Sequence, residues 1–205
     1  AMAKKYSQKI TDMERIRIDF QEADLNYDFV KGKSLAEKMV EKYPKEKFGY
    51  HALGNTMWMT QDYLGSTQVC EKYLEIDPTD ANTYNNLSAA YSLLNDHQAA
   101  ISAVKKYIAI HPDVWNSYDS AWEIHMRAGK FDEALSFVEQ GLKRISSWHD
   151  AHLLAGYTLL LKGEGDRARE RFRQYADTEP DAIILVARKM GFSYLFEGRF
   201  REAEA

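Results

Sequence analysis

Residues 81–112 read ANTYNNLSAAYSLLNDHQAAISAVKKYIAIHP, and this stretch decides the fold of the chain. In its first half, apolar or small residues recur at the i, i+3, i+4, i+7 spacing of an amphipathic helix, at Tyr84, Leu87, Ser88 and Tyr91. Asn95 and Asp96 interrupt the pattern, and the helical period then resumes until Pro112. Proline ends a helix because it has no amide hydrogen to donate. The stretch is therefore predicted to form two helices joined by a short turn.

The same pattern recurs before and after this stretch at a step of about 34 residues, with a small insertion before the last unit. The middle position of the first helix holds Gly54, Ser88, Gly156 and Gly191, or the bulky Phe20 and Trp122. An aromatic residue begins the second helix at Phe29, Tyr63, Phe131 and Phe200. A proline closes the unit at Pro44, Pro78, Pro112 and Pro180. Because these positions stay in phase, the chain is predicted to be an array of helical hairpins.

This pattern resembles the tetratricopeptide repeat (TPR), in which an aromatic residue, Leu-Gly, a tyrosine, an alanine and a closing proline follow at set spacings. The second repeat carries the pattern most fully, at Tyr50, Leu53, Gly54, Met57, Tyr63, Ser66, Cys70 and Pro78. The resemblance extends from about Met13 to the end of the sequence. It implies an all-α fold, a right-handed α-α superhelix (TPR solenoid) of antiparallel helix hairpins.

The resemblance also predicts how the chain divides. A single solenoid domain over residues 1–205 would contain repeats at about 13–46, 47–80, 81–114, 115–148 and 149–183, with a partial sixth at 184–205. Because the sequence stops within the second helix of the sixth repeat, we expect it to be a fragment of a longer protein.

Composition narrows the classes of partner. The net charge of -4 and the pI near 5.9 provide no general attraction toward nucleic acid or anionic lipid. No apolar run approaches the roughly 20 residues that a membrane-spanning helix needs, and no signal peptide is evident, so a cytoplasmic location is favoured. The single cysteine, Cys70, cannot form an intrachain disulfide, and its core position predicts a small buried hydrophobe.

Several packing features follow from the pattern. Thr11 and Glu14 have the spacing of a capping box, ahead of a buried stripe at Ile16, Phe20 and Ala23. Glycine in the middle of a first helix is expected to let two helices approach closely, at Gly54 and at Gly156. Asp113 is expected to cap the first helix of the fourth repeat, where Trp122 requires a local adjustment of the packing.

The resemblance implies that the first helices of successive hairpins line a concave groove. The candidate peptide-binding residues on those helices are His51, Asn55, Trp58, Asn82, Asn85, Asn86, Asn116, Asp119, Glu123, Arg127 and Tyr157. The asparagines stand out because an amide both donates and accepts, which suits the backbone of an extended peptide, although solvated or capping asparagines fit equally well. Trp58 is either an apolar anchor for a partner or a contact between adjacent repeats.

Other chemistries find less support. A TPR clamp for chaperone carboxylates would need cations that the groove candidates lack, although Asn86 and Asn116 match its asparagines. His149 and His152 with Asp150 have the spacing of a helical metal site, but no third ligand is evident, so no metal or cofactor is predicted. The arginines of the fifth repeat alternate with acidic residues, which favours a solvated face over nucleic-acid contact, at Arg167, Arg169, Arg171 and Arg173.

The sequence therefore predicts a non-enzymatic protein-interaction scaffold that binds a peptide segment or helix of a partner in its groove. The alternative is a structural role, either self-association or docking onto other domains of a larger protein. An apolar end around Phe192, Leu195 and Phe196 favours this alternative and would support a homo-oligomer. Neither nucleic acid nor membrane insertion is expected.

Overall fold

The computed structural model describes residues 10–203, and in that range it contains α-helices, one short 3₁₀ helix and no strand. The first compact unit extends to Asp96 and contains α1 Asp12–Leu25, α2 Phe29–Lys42, α3 Lys47–Met59, α4 Tyr63–Ile76 and α5 Ala81–Leu93. The second begins at His97 and contains α6 His97–Ile110, α7 Trp115–Arg127, α8 Phe131–Arg144, α9 Ala151–Leu161, α10 Gly165–Thr178, the 3₁₀ helix Pro180–Ala182, α11 Ile183–Phe196 and α12 Phe200–Ala203. The all-α prediction is confirmed.

Four of the five helices described in the first unit, all except α3, begin where a side chain accepts a hydrogen bond from a free backbone amide. Thr11 and Glu14 form the predicted capping box, with the Thr11 amide 2.7 Å from a Glu14 carboxylate oxygen. Asp28, Asp62 and Asp80 each accept a hydrogen bond from the amide three residues later, so α2, α4 and α5 share one mode of capping. These aspartates fix where each helix starts and therefore which side chains face the core.

The core of the first unit is built from one stripe on each helix. Ile16, Phe20 and Ala23 are buried on α1, as predicted, and the Phe20 ring meets Phe48 edge-on at 5.7 Å. Ala36 on α2 belongs to the same buried cluster, which continues through Leu53 and Tyr73. Burial of these apolar side chains, at roughly 25 cal/mol for each Å² removed from water, holds the hairpins together.

The second unit has two apolar clusters. Tyr118, Val138, Trp148 and Ala155 form the first, between α7, α8 and α9. Phe172 is fully buried in the second, which joins α9, α10 and α11. Successive helices thus pack against their neighbours, the arrangement expected of repeats that bury their faces against one another.

Three local predictions for the second unit had different outcomes. Asp113 does not cap α7: Val114 occupies the cap position, and Arg144 Nε donates to an Asp113 carboxylate oxygen over 3.0 Å instead. Trp122 is accommodated without loss of the hairpin: α7 and α8 both form, and Trp122 Nε1 donates to Thr158 Oγ1 on α9 over 2.8 Å. Arg169 is only 1% exposed rather than solvated. Its guanidinium donates to Ser193 and Glu197, and this pairing compensates for burial of the charge.

The two glycines predicted to permit close helix approach differ. A Cβ added at Gly156 would lie 2.3 Å from Cε1 of Phe172, so the predicted close approach is confirmed there. At Gly54 the nearest atom to an added Cβ would be Val69 Cγ1 at 3.8 Å, an ordinary van der Waals distance. A Cβ would therefore fit at Gly54, although α3 and α4 do approach each other there, since Ser66 Oγ donates to the Gly54 carbonyl oxygen over 3.4 Å. The space beside this glycine becomes part of the candidate site.

Candidate functional site

The first unit presents six of the predicted groove residues on two helices. α3 carries His51, Asn55 and Trp58, and α5 carries Asn82, Asn85 and Asn86. His51, Asn55, Asn82 and Asn86 are exposed, whereas Trp58 and Asn85 are half-buried. The four exposed side chains are available to a partner because the apolar stripes of both helices point elsewhere, into the core.

Helices α3, α4 and α5 enclose a pocket of about 170 Å³. The residues that line it are Tyr50, His51, Gly54, Asn55, Trp58, Ser66, Val69, Cys70, Tyr73, Thr83 and Asn86. The pocket thus brings together four of the predicted residues, His51, Asn55, Trp58 and Asn86. Asn82 and Asn85 lie on the same helix as Asn86 but do not line it.

The floor of the pocket consists of small buried residues, both apolar and hydroxyl-bearing, the latter being Ser66 and Thr83. Gly54 and Val69 are buried, and Cys70 is 7% exposed, as its predicted role as a buried hydrophobe requires. Burial raises the pKa of the Cys70 thiol to about 11, so the group is protonated at neutral pH and is a poor nucleophile. The floor therefore offers van der Waals contact and no reactive group.

The walls of the pocket are held by aromatic contacts. The Trp58 ring packs edge-on against Tyr63 at 5.3 Å, within its own hairpin. The His51 ring lies 4.7 Å from that of Tyr73, and its Nε2 lies 3.8 Å from an Asp80 carboxylate oxygen. The Tyr73 hydroxyl donates to the same carboxylate over 3.4 Å. Because these wall residues have partners in the protein, the pocket is shaped before any ligand arrives.

The second unit carries the other five predicted residues, most of them already engaged. Asn116 Nδ2 donates to the Tyr107 hydroxyl over 3.0 Å, and Arg127 Nε donates to Glu123 over 3.0 Å. Burial, with the nearby carboxylates of Glu123 and Asp150, raises the pKa of Asp119. These contacts give α7 a polar face with acidic character.

Tyr157 on α9, the last of the predicted residues, lies in an aromatic cluster. Its ring meets that of Phe172 at 5.8 Å, and Lys189 Nζ lies 4.9 Å from its centre. A cation over an aromatic face is attracted by the negative potential of the ring. Tyr157 is therefore half-buried and supported from two sides.

Two further observations on residues 10–203 concern the metal and membrane alternatives. His149 Nδ1 lies 2.8 Å from Glu179 Oε1, and this part of the chain contains no group of three or more His, Cys, Asp or Glu side chains able to hold a metal. Within the same range, no helix has the length and apolar character needed to cross a bilayer.

Sequence reasoning missed the pocket itself, although a signal was present. The second repeat combines two small residues, Gly54 and Cys70, at core positions of its two helices. Periodicity marks both positions as buried but does not compare their volumes across the hairpin. A pairwise comparison of the two core positions in every repeat would have indicated the missing volume.

Comparisons with known proteins agree on the fold. Residues 69–102 match a sequence model of the tetratricopeptide repeat family. Among solved structures, a TPR protein from Parabacteroides merdae shares 13% identity with a TM-score of 0.78, over 94% of this chain and 76% of that one. MamA shares 21% identity with a TM-score of 0.71, over 80% of this chain and 96% of MamA.

YrrB, described as a TPR protein with an unusual peptide-binding site, shares 15% identity with a TM-score of 0.60, over 82% of this chain and 86% of YrrB. A search of curated proteins finds no match. The predicted resemblance is confirmed by the family match over residues 69–102 and by the fold: the chain is a helical repeat protein whose fold matches that of solved TPR proteins.

Proposed function

We propose that this helical repeat protein is a non-enzymatic interaction module that binds an extended peptide segment of another protein on the exposed faces of α3 and α5. The observation that carries the proposal is the preformed pocket between α3, α4 and α5, with the amides of Asn55 and Asn86 among its lining residues. That YrrB has a peptide-binding site adds support from a protein of the same fold.

The chemistry of the pocket suits a peptide better than a small charged metabolite. An asparagine amide donates one hydrogen bond and accepts another, which matches the alternating N–H and C=O groups of an extended backbone. The exposed asparagines of α3 and α5 can pair with the backbone, while the pocket receives a side chain. Backbone pairing would provide affinity, and the pocket would provide specificity.

A peptide selection tests this proposal even though the natural partner is unidentified. Random 12-residue peptides are displayed on phage and selected on the wild-type chain, and the affinity of each selected peptide is then measured by fluorescence anisotropy. We expect the Asn55→Ala/Asn86→Ala variant to bind them at least about tenfold more weakly, since lost hydrogen bonds cost about 1 kcal/mol each and 1.4 kcal/mol is a factor of ten.

The control is Gln68→Ala, which removes an exposed amide from α4 at a position that does not line the pocket. It should leave the affinity unchanged. Equal affinity for the wild type and the double asparagine variant would contradict the proposal. A selection that yields no binding peptide would contradict it as well.

A second candidate function is self-association through α11. Large apolar side chains are exposed on this helix, including Ile184 at 75%, Phe192 at 57% and Phe196 at 75%. Apolar side chains exposed in this number on one helix are typical of a contact surface. Sedimentation equilibrium distinguishes the two candidates, because Phe192→Ser/Phe196→Ser should abolish a dimer while leaving peptide binding by the first unit intact.

A further inference from the structure

The second and fifth repeats carry the same core positions with different side chains. Gly54 and Cys70 of the second repeat correspond to Gly156 and Phe172 of the fifth, because both pairs are offset by 102 residues. That offset is three steps of the repeat of about 34 residues. Asn55 corresponds in the same way to Tyr157. The fifth repeat therefore shows what this hairpin geometry accommodates at the place where the second repeat has its pocket.

In the fifth repeat an aromatic ring covers the glycine. Phe172 is fully buried, and its Cε1 atom lies where a Cβ on Gly156 would be only 2.3 Å away. The ring is held by edge-on contact with Tyr157 at 5.8 Å. Glycine at position 156 is thus required by the phenyl ring that packs on it.

In the second repeat the ring is missing. Cys70 stands in the place of Phe172, and both Cys70 and Gly54 line the pocket of about 170 Å³. A Cβ on Gly54 would meet only Val69 Cγ1, at 3.8 Å, so no aromatic ring packs on this glycine as Phe172 packs on Gly156. By the alignment of the repeats, the pocket corresponds to the place where a phenyl ring packs in the fifth repeat.

The first repeat fills the equivalent space from the opposite helix. Phe20 aligns with Gly54 and Ala36 aligns with Cys70, and both residues are buried in one cluster. An aromatic ring from either helix of the hairpin can therefore fill this space. The second repeat has small residues at both positions, so neither of its helices provides an aromatic ring there.

We infer that the pocket between α3, α4 and α5 receives an aromatic side chain of the bound peptide, which takes the place that Phe172 occupies in the fifth repeat. The inference rests on the proposed function and specifies its ligand. The volume of about 170 Å³ is sufficient for a phenyl ring, since a cavity of about 150 Å³ binds benzene in another protein. A charged side chain is disfavoured because the floor at Val69 and Cys70 provides no counter-charge.

Capped amino acids serve as probes in the experiment. N-acetyl-phenylalanine methylamide, N-acetyl-alanine methylamide and N-acetyl-glutamate methylamide are titrated separately into the ¹⁵N-labelled chain, and amide chemical shifts are followed by NMR. The phenylalanine probe should cause saturable shifts confined to residues of α3, α4 and α5, with an affinity at least tenfold above that of the other two probes. Equal responses to the three probes, or shifts located elsewhere, overturn the inference.

Variants that fill the pocket with a side chain of the protein provide a second test of the inference. Cys70→Phe installs the phenyl ring of the fifth repeat and should abolish the response to the phenylalanine probe, whereas Cys70→Ser keeps the small volume and should retain it. Gly54→Phe fills the same space from α3, as Phe20 does in the first repeat, and serves if Cys70→Phe does not fold. An undiminished response in a folded pocket-filled variant overturns the inference.

The unique cysteine gives an independent readout in the wild-type chain. At alkaline pH, where a fraction of the Cys70 thiol is ionised, a bound ring should slow its alkylation by iodoacetamide in proportion to occupancy, and the alanine probe should not. Alkylation that is equally fast with and without the phenylalanine probe overturns the inference.

Failure of this inference is distinguishable from failure of the proposed function. If peptides selected on the wild type still bind Cys70→Phe but lose affinity for Asn55→Ala/Asn86→Ala, then peptide binding stands without an aromatic anchor. If selected peptides bind all variants equally, both statements fail.

Discussion

The second and fifth repeats are two versions of one hairpin, and they differ in whether an aromatic ring of the chain packs on the glycine of the first helix. In the fifth repeat Phe172 packs on Gly156 and closes the core. In the second repeat Cys70 leaves the space beside Gly54 open to the surface. A glycine that looks equivalent in the two repeats therefore has different physical roles. One makes room for an internal ring, and the other forms the floor of a pocket.

The largest expected effect comes from making the fifth repeat like the second. Phe172→Cys should lower the free energy of unfolding by about 3 kcal/mol, since removing a fully buried phenyl ring loses its transfer energy and leaves a cavity. Urea unfolding followed by circular dichroism measures the change. The reference variant is Cys70→Ser in the second repeat, which should lower the free energy of unfolding by clearly less. Equal decreases in the two variants would show that the Phe172 ring is not the structural counterpart of the open pocket.

A smaller difference should separate the two glycines. Gly156→Ala places a Cβ against Phe172 and should destabilise by about 1 to 3 kcal/mol through overpacking. Gly54→Ala meets only Val69 at contact distance, so the better helix propensity of alanine should stabilise by up to about 1 kcal/mol. Thermal and urea unfolding of both variants measures whether stability changes in opposite directions. A change in the same direction in both variants would contradict the difference between the two glycines.

The converse exchange should strengthen the second repeat. Cys70→Phe adds a phenyl ring to an existing space over a glycine, so we expect stabilisation of about 1 kcal/mol, limited by small adjustments of the surrounding side chains. Differential scanning calorimetry measures the change in melting temperature. A marked drop would mean that the hairpin geometry of the second repeat cannot hold the ring that the fifth repeat holds.

The smallest expected effect is a pH dependence of the second unit. Burial lowers the pKa of both His125 and His152, and the positive charge of Arg171 contributes at His152. The unfolded chain therefore binds protons more readily than the folded chain, so stability is complete above about pH 6.5 and falls as the pH drops below that value. Unfolding at pH 7.0 and 5.5 should show this loss.

Histidine variants test whether these two side chains cause the decrease in stability at low pH. His125→Gln/His152→Gln should reduce the difference between the two pH values, and His111→Gln, at an exposed position of the same unit, should not. A pH dependence that persists unchanged in the double variant would assign it to carboxylates instead.

Much of the fold was predictable because helical repeats depend on local patterns. The capping box at Thr11 and Glu14 was predicted correctly, since a cap requires only side chains and amides close in sequence. The buried stripe of Ile16, Phe20 and Ala23 followed from periodicity in the same way. The expected cap at Asp113 was wrong because Arg144, 31 residues away in sequence, competes for its carboxylate.

The amino-acid sequence by itself determined the hairpin array, the apolar core stripes such as Ile16, Phe20 and Ala23, and the set of side chains on the first helices. It could do so because helix period, turns and caps are properties of neighbouring residues. It did not determine the burial of Arg169 on α10. The tertiary structure alone decided which of those side chains meet. It enclosed His51, Asn55, Trp58 and Asn86 around one pocket and left Asn82 and Asn85 outside it. The physical reason is that a pocket depends on the combined volume of side chains from different helices, here the small pair Gly54 and Cys70, and volume across a packed interface is not a local property of the chain.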